Sequence, residues 1–453
     1  MTALLQRFFN VRQGEVAPLL MSACYFCCVL IAIGVMRPAR DAIGMSRGLD
    51  EVRLLFIGTA LVTLAVNPMF GWLVSRFRRL VFIAVTYLFF AASLVGFYLL
   101  IAMAPDAVGE VSGRVFYVWY SVFNLFATMV FWALMADRYS LEQSRRLFGA
   151  IAVGGTVGAI VGPWLASQLA RPLGAPALLL VSAVFLCLGV VAAWMVTRLQ
   201  PAAEGGAAPA SATPRTSDAG RGVDRTVIGG SAWKGVGRVL ESRYLSGISL
   251  YVLLMTVVAT FIYFTRLQMV AALGEDTDTR ATALAWIDTI TQSSTLLVQL
   301  LVTGHLMKRF GVAVALALLP VVASLGFIGL AIASSFAMLI VFDAFFRAIQ
   351  RAITRPARET LFTVVSREDK YKSKAVTDTF VYRGGDLLGA WIPVWLGPLG
   401  LGLIGLATAV VPLAAVWGLL GVWLARRQGS MLPAESASEP AKARTRPLTS
   451  TAG

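Results

Sequence analysis

The chain of 453 residues is 58% hydrophobic and only 14% charged, and its mean hydropathy is +0.75. These values exclude a soluble domain with a polar surface. Most of the surface of this protein must instead face lipid. The net charge of +15 would suit a nucleic-acid-binding protein, but its placement along the chain favours a different origin.

Apolar stretches of about 20 residues, the length that crosses a bilayer core, recur along the whole chain. The first six span 16–36, 52–74, 80–104, 115–136, 147–170 and 177–197. Six more span 245–270, 281–303, 312–333, 336–353, 375–396 and 401–424. The pattern predicts an all-α membrane protein with about twelve transmembrane helices in two six-helix halves.

Basic residues concentrate in alternate connections between these stretches, beginning with the N-terminus. They are Arg7, Arg12, Arg76, Arg78, Arg79, Arg145, Arg146, Lys308, Arg309, Arg367, Lys370, Lys372, Lys374, Arg426 and Arg427. The opposite connections are poor in base or acidic, as at Glu275, Asp276 and Asp278. By the positive-inside rule, we expect a multi-pass protein of the bacterial inner membrane with both termini in the cytoplasm and no nucleic-acid partner.

The composition changes abruptly in the middle of the chain, where Ala, Gly, Pro, Ser and Thr dominate the sequence after Leu199. Such a segment is typical of a flexible linker. The predicted organisation is therefore an N-terminal bundle at 1–198, a flexible cytoplasmic linker at 199–240, a C-terminal bundle at 241–427 and a disordered cytoplasmic tail at 428–453.

Short motifs recur in the two halves. The segment 71–77, Gly-Trp-Leu-Val-Ser-Arg-Phe, is answered by 304–310, Gly-His-Leu-Met-Lys-Arg-Phe, and the Gly-Gly pair at 154–155 by another at 384–385. Two related halves suit a carrier that works by alternating access. The segment 71–77 also resembles the loop signature of the major facilitator superfamily. Ser75 stands where the superfamily usually has Asp, while Arg76, an expected gating residue, is present.

Charged residues lie within several of the apolar stretches, where each costs several kcal/mol unless it is paired or hydrated. On the tenth stretch Asp343, Arg347, Gln350 and Arg351 share one helical face. These acids and bases could neutralise one another and hold helices together, or they could face a substrate. Both interpretations remain open for Asp343 with Arg347, and for the pair on the eleventh stretch formed by Arg383 and Asp386.

The first and tenth stretches end in similar pentapeptides, Arg-Pro-Ala-Arg-Asp at 37–41 and Arg-Pro-Ala-Arg-Glu at 355–359. Asp288 and Gln292 lie within the eighth stretch. Several arginines converging on one cavity would suit a multiply charged oxyanion, because guanidinium groups bind phosphate or carboxylate in a bidentate manner and stay charged when desolvated.

Nothing in the sequence indicates a metal centre, a cofactor or a catalytic residue. The thiols Cys24, Cys27 and Cys28 are predicted to be packing residues of the first helix. The single histidine, His305, lies at a helix end and is expected to have no role in transport. An enzyme is therefore not expected.

Three charged motifs resemble the nucleotide transporter family, the ATP/ADP translocases. Residues 37–41 correspond to the family's Arg-Asp-Thr-Lys-Asp, residues 142–148 to its Glu-Ala-Lys-Arg-Phe-Tyr, and residues 355–359 to its Asp-Pro-Thr-Lys-Glu. The last match continues through Lys374 and Asp378 to Arg383, so the likeness covers nearly all of the membrane part.

The resemblance implies exchange of nucleotides across a membrane. It places Arg40 in the role of the family's first-helix Lys, Glu142 in that of its loop Glu, and Arg383 in that of the basic residue before the Gly pair. Three family lysines are Arg here, and the acid of the family's seventh helix is replaced around Tyr263, with Arg266 nearby.

We therefore predict a secondary carrier with a central cavity between the first, fourth, seventh and tenth helices. Its partners would be membrane lipid and a small anionic solute, with nucleotides as the leading candidates, and a monomer is favoured. The residues expected to bind substrate are Arg37, Arg40, Asp343, Arg347, Arg351, Arg358, Arg383 and Asp386. Those expected to couple or gate transport are Asp41, Arg76, Asp137, Glu142, Asp288, Glu359, Lys374 and Asp378.

Two alternatives remain. One is a proton-coupled carrier of another organic anion, with Asp343 or Asp288 carrying the proton. The other is a membrane sensor or scaffold that does not transport, although such a protein has no need for so many charges in its membrane helices.

Overall fold

The computed structural model describes residues 12, 14–76, 79–103, 106–200, 232–396 and 403–431. Six long helices form the first half of the chain: α1 (Val16–Gly44), α2 (Leu49–Arg76), α3 (Arg79–Met103), α4 (Asp106–Arg138), α5 (Leu141–Leu173) and α6 (Leu178–Leu199). A single 3₁₀ turn, Ala175–Ala177, joins α5 to α6.

The second half begins with the short α7 (Ala232–Glu241). The remaining helices are α8 (Arg243–Ala271), α9 (Thr277–Leu301), α10 (Thr303–Ile332), α11 (Phe336–Ile349), α12 (Arg355–Leu361), α13 (Arg367–Val376), α14 (Tyr382–Leu396) and α15 (Leu403–Met431). The π-helical turns Gln350–Thr354 and Thr377–Val381 join α11 to α12 and α13 to α14. The expectation of an all-α membrane fold is confirmed.

Within the described residues, eight helices are long and apolar enough to cross a membrane: α1, α3, α4, α5, α6, α8, α10 and α15. The other four predicted crossings fall on α2, on α9, on α11 with the π turn that follows it, and on α14 with the π turn that precedes it. Charged and polar residues along α9, such as Asp288 and Gln292, lower the hydropathy of that helix. The π turns divide the last two crossings into shorter helices.

The structure corrects two boundaries of the sequence interpretation. Residues 232–240 of the predicted linker lie within α7, and the guanidinium of Arg238 lies 3.4 Å from the Asp369 carboxylate at the start of α13. Helix α15 continues to Met431, inside the segment predicted to be a disordered tail. The rest of that linker, at 201–231, and the tail at 432–453 lie outside the described residues.

Glycines allow the helices that carry the cavity charges to pack closely. A Cβ added at Gly154 of α5 would lie 2.2 Å from the carbonyl oxygen of Ala23 on α1. A Cβ added at Gly389 of α14 would lie 2.6 Å from the carbonyl oxygen of Val257 on α8. Because no larger residue fits at either helix–helix contact, the glycines set how closely α5 packs against α1 and α14 against α8.

The two halves contact each other at one end of the bundle, the far end, which is formed by the turns after α1, α5 and α8. There the backbone N–H of Ala175 donates to the Asp278 carboxylate at 2.6 Å, and Arg280 donates to the carbonyl of Met45 at 3.2 Å. Arg53 donates to the carbonyl of Ala390 at 3.1 Å. These hydrogen bonds close the far end.

The opposite end, the linker end, contains the C-terminus of α6 and the N-terminus of α8. Its described ion pairs stay within one half, as between Arg146 and Glu15 at 3.0 Å, and between Lys374 and Glu359 at 2.6 Å. The halves are thus joined at the far end and separate towards the linker end.

Candidate functional site

A cavity of about 930 Å³ lies between the two halves. Its volume is at the upper end of the range usual for pockets that bind small molecules. The first, fourth, seventh and tenth predicted crossings line it, as expected, through α1, α4, α8 and α11 with α12. Residues of α2, α5, α9 and the α13–α14 segment line it as well.

Positive charge dominates the described lining of the cavity. Its eight basic residues are Arg37, Arg40, Arg347, Arg351, Arg355, Arg358, Lys374 and Arg383. Its four carboxylates are Asp288, Glu359, Asp378 and Asp386. All four carboxylates have a basic partner within ion-pair distance. Arg40 and Arg347 pair with Asp41 and Asp343 behind the lining. Among the described residues, Arg351 and Arg355 are left without a carboxylate partner and carry the excess charge.

A buried group of charges, which we call the Arg266 cluster, lies beside the cavity and consists of Arg266, Asp41, Asp288 and Asp343. The Arg266 side chain is 0% exposed. Its guanidinium lies 2.8 Å from the Asp288 carboxylate, 3.5 Å from that of Asp41 and 3.7 Å from that of Asp343. One arginine on α8 therefore connects carboxylates on α1, α9 and α11.

Two arginines of the cavity wall extend this cluster. Arg37 of α1 lies 3.5 Å from the second carboxylate oxygen of Asp288, and Arg347 lies 2.6 Å from Asp343 on its own helix. Asp343 is fully buried behind the wall, held between Arg347 and Arg266. Asp343, which was predicted to bind substrate, is not part of the described lining of the cavity and contacts two arginines instead.

Arg40 contributes both charge and aromatic contacts. Its guanidinium donates to Asp41 and, at 3.2 Å, to the hydroxyl of Tyr263. It also lies over the rings of Tyr117 and Tyr120, at 4.4 Å and 4.9 Å from their centres. Asp41 is 1% exposed and accepts a further hydrogen bond, of 2.8 Å, from Tyr263. Asp41 is therefore placed to hold Arg40 rather than to contact a solute.

The other predicted residues of the C-terminal half line the cavity. Glu359 of α12 accepts a hydrogen bond of 2.6 Å from Lys374 and lies 3.2 Å from Arg358. Arg358 also lies 3.4 Å from Asp378. These four residues form the wall nearest the linker end.

Deeper in the same wall, Arg383 lies 3.3 Å from Asp386, which also accepts a hydrogen bond of 2.9 Å from Thr260. Arg351 donates to the side-chain amide of Gln292, a neutral partner. The charge of Arg351 is thus not neutralised by that contact.

Two predicted gating residues, Glu142 and Asp137, are not among the described lining of the cavity. Glu142 is exposed at the start of α5 and lies 2.8 Å from Arg12. Asp137 is half-buried in the last turn of α4. Arg76 is the last residue of α2, and its side chain lies outside the described part of the structure.

The carboxylate of Glu15, at the linker end, holds the start of α1 against α5. Burial raises the pKa of Glu15, but hydrogen bonds from Arg146, from the backbone N–H of Arg12 and from Gln143 outweigh that effect and leave it below its ordinary value. Glu15 therefore ties the start of α1 to α5.

Arg266 and Arg355 were absent from the sequence-predicted site. Arg266 sits within an otherwise strongly apolar 29-residue helix, and a charge in such a segment is by itself a signal of function. Arg355 begins the second Arg-Pro-Ala-Arg motif and is exposed to the cavity. In the described residues there is no group of three His, Cys, Asp or Glu side chains that could hold a metal ion.

Comparison with known proteins gives the family. The family model described as the Major Facilitator Superfamily matches residues 18–270, which is more than half of the chain. The chain belongs to this superfamily. It is therefore a multi-pass membrane transporter and not an enzyme, as its composition indicated.

Solved structures of other transporters share the fold. A bacterial homolog of the human lysosomal transporter Spinster, in an inward-facing and unoccupied conformation, aligns with a TM-score of 0.55 at 15% identity, covering 92% of this chain and 94% of its own. The nucleoside transporter NupG aligns with a TM-score of 0.52 at 12% identity, covering 93% and 100%. A POT family transporter in complex with a thioalcohol-conjugated peptide aligns with a TM-score of 0.60 at 11% identity, covering 91% and 96%.

No curated protein matches the chain in sequence. The superfamily is a broader class than the nucleotide transporter family that the charged motifs resemble. That narrower likeness stays a prediction.

Proposed function

We propose that this secondary transporter exchanges phosphorylated or polyanionic solutes, with nucleoside di- and triphosphates as the leading substrates. The observation that carries the proposal is the excess of arginine over carboxylate in the cavity. Guanidinium groups keep their charge when desolvated and bind phosphate oxygens through paired hydrogen bonds. A cavity lined in this way would repel cations and hold anions.

The arginines available to a solute lie on one side of the cavity. Arg351 has a neutral partner in Gln292, and Arg355 lies one turn further along the same wall, exposed to the cavity. Arg37 and Arg347 are near enough to Arg351 for their charges to repel it. A phosphate chain bound between these four side chains would remove that repulsion, which favours a solute with two or more negative charges.

The rest of the lining suits the remainder of a nucleotide. Phe56, Ser121, Asn124 and Gln350 add an aromatic ring, a hydroxyl and two amides, which can contact a base and a ribose. The nucleoside transporter NupG has the same fold, so this fold is large enough to carry a nucleoside. The volume of about 930 Å³ leaves room for the phosphates as well.

The two bundles proposed at 1–198 and 241–427 would rock about the cavity, as alternating access requires. The basic connections place the linker end in the cytoplasm of a bacterial cell, with the inner membrane as the location. On this proposal the described conformation is open to the cytoplasm, and the transporter works as a monomer.

The test uses purified protein in liposomes loaded with unlabelled ADP. Labelled ATP, ADP, glucose 6-phosphate and citrate are offered outside in turn, and uncharged adenosine serves as the matched control. We expect uptake of at least one phosphorylated solute that depends on internal counter-substrate, and none of adenosine. Absence of uptake for every anion would refute the proposal.

The same vesicles distinguish the proton-coupled alternative. Uptake driven by an imposed pH gradient, without internal counter-substrate, would replace exchange by proton coupling. An Arg351→Gln variant is expected to need about ten- to a hundredfold more substrate, because it loses one charge-assisted hydrogen bond to phosphate, worth about 1.5–3 kcal/mol. Unchanged affinity in this variant would place the substrate elsewhere.

A further inference from the structure

We infer that Arg37 makes the change of state costly for the empty carrier and that a bound anion removes this cost, so that Arg37 is the residue that enforces exchange. This inference rests on the proposed function, since it explains why an anion must accompany each change of state. It follows from which ion pairs of the Arg266 cluster cross between the halves.

Two ion pairs cross from α1 to the second half. They join Asp41 to Arg266 at 3.5 Å and Arg37 to Asp288 at 3.5 Å. Both lie towards the far end, because Asp41 is three residues from the end of α1 and Arg266 is five residues from the end of α8. Opening the far end requires the halves to part there, so both of these pairs must break.

Nearly every member of the cluster keeps a partner in its own half when that happens. Asp41 keeps Arg40, its neighbour on α1. Asp288 keeps Arg266, which is in the same half. Asp343 keeps both Arg266 and Arg347. The second half therefore remains neutral in this cluster, with two arginines and two carboxylates.

Arg37 is different. Among the described residues, the carboxylate within ion-pair distance of Arg37 is that of Asp288, in the other half. Arg40 competes for Asp41 on α1, so the first half has two arginines for one carboxylate. Once the halves part, Arg37 is left as an unpaired charge inside the membrane, which is strongly unfavourable.

An anionic solute resolves this problem because Arg37 also lines the cavity, with 26% of its side chain exposed. A phosphate that binds Arg37 replaces Asp288 as its counter-ion when the halves part at the far end. The loaded carrier then switches and the empty one does not. Strict exchange follows without any additional gate.

The first test needs no substrate. Spin labels are placed on Ala136→Cys and Thr363→Cys, which are exposed on opposite halves at the linker end, in a background where the four native cysteines are Ala. Pulsed electron paramagnetic resonance measures the distance between the labels in ligand-free protein. The parent should show one long distance. Arg37→Gln should add a shorter distance whose population is about tenfold higher than in the parent, since the pair that is removed is partly buried and its loss shifts a two-state equilibrium by about that factor.

Two variants control this measurement. Arg37→Lys keeps the charge and should keep the parent distribution. Arg347→Gln removes an arginine of the same cavity whose partner is in its own half, so it too should keep the parent distribution. A parent-like distribution in Arg37→Gln would overturn the inference, and so would an equal shift in Arg347→Gln.

The second test measures efflux of labelled ADP from proteoliposomes into buffer with and without external ADP. In Arg37→Gln, efflux without external ADP should rise by at least about tenfold relative to exchange. Efflux that still requires external ADP would overturn the inference while leaving the exchange proposal intact. If the parent itself exchanges no ADP, nucleotide exchange fails, and the spectroscopic distances alone then decide the role of Arg37.

Discussion

Replacing Arg266 by Met tests whether the buried cluster holds the fold together. The side chain is 0% exposed and lies within 3.7 Å of three carboxylates, two of which are also almost fully buried in the same half. Removing one partner of a buried ion pair costs about 3–5 kcal/mol, because it leaves an uncompensated charge. No reduction for solvent screening applies at this depth.

The expected loss can be measured as a melting temperature in detergent. For bodies of 150–250 residues, the size of each half, 1 kcal/mol corresponds to about 2–4 °C, so Arg266→Met should melt about 6–20 °C below the parent. Arg198→Met, which removes an exposed arginine from α6, is the matched control and should melt within about 2 °C of the parent.

A double variant separates charge from packing. Arg266→Met with Asp288→Asn removes the positive charge together with one of the carboxylates it neutralises, so it should recover part of the loss. If Arg266→Met melts with the parent, or if the double variant is worse than the sum of the single ones, the proposed electrostatic role is wrong.

Further predictions concern packing, capping and the membrane charges. Gly154→Ala should lower stability by about 1–3 kcal/mol through the clash with α1, whereas Gly149→Ala, with open space around its Cβ, should not; thermal melts compare the two. Hydrogen bonds from the hydroxyl and backbone N–H of Thr279 lower the pKa of Asp276, the cap of α9. Its contribution is therefore complete above the ordinary carboxyl pKa and is lost as the pH falls through the lowered value, so amide exchange at 277–280 should accelerate only in acid and should not do so if the cap is irrelevant. Cavity access can be checked with a charged arginine reagent, which should modify Arg355 faster than Arg266, and equal rates would contradict the described burial.

The fold was largely predictable because membrane helices are dictated by local properties of the chain. Length and hydropathy identify the crossings, and the repeated motifs relate the halves. The short α7 was missed, since the composition around it is that of a linker. It contacts a part of the chain that is distant in sequence, as the ion pair between Arg238 and Asp369 shows.

The candidate site was predictable only in part, because it depends on contacts between helices that are distant in the sequence. Spacing places Asp343 and Arg347 on one helical face, but it does not indicate which of them faces the cavity. The structure decides this through Arg266 on another helix, which draws Asp343 behind the wall. Pairing across helices depends on the tertiary arrangement, which no local pattern contains.

The closure of the far end has a consequence for how the chain can vary. Each of its three hydrogen bonds joins a side chain in one half to a backbone group in the other: Asp278 to Ala175, Arg280 to Met45, and Arg53 to Ala390. A backbone carbonyl is present in every residue and a backbone N–H in every residue except proline, so most substitutions at 45, 175 and 390 leave the bonding atom in place. The hydrogen bonds of this seam therefore restrict side-chain chemistry only at the three charged positions, whereas the positions opposite them are restricted by packing, since each is at most 2% exposed.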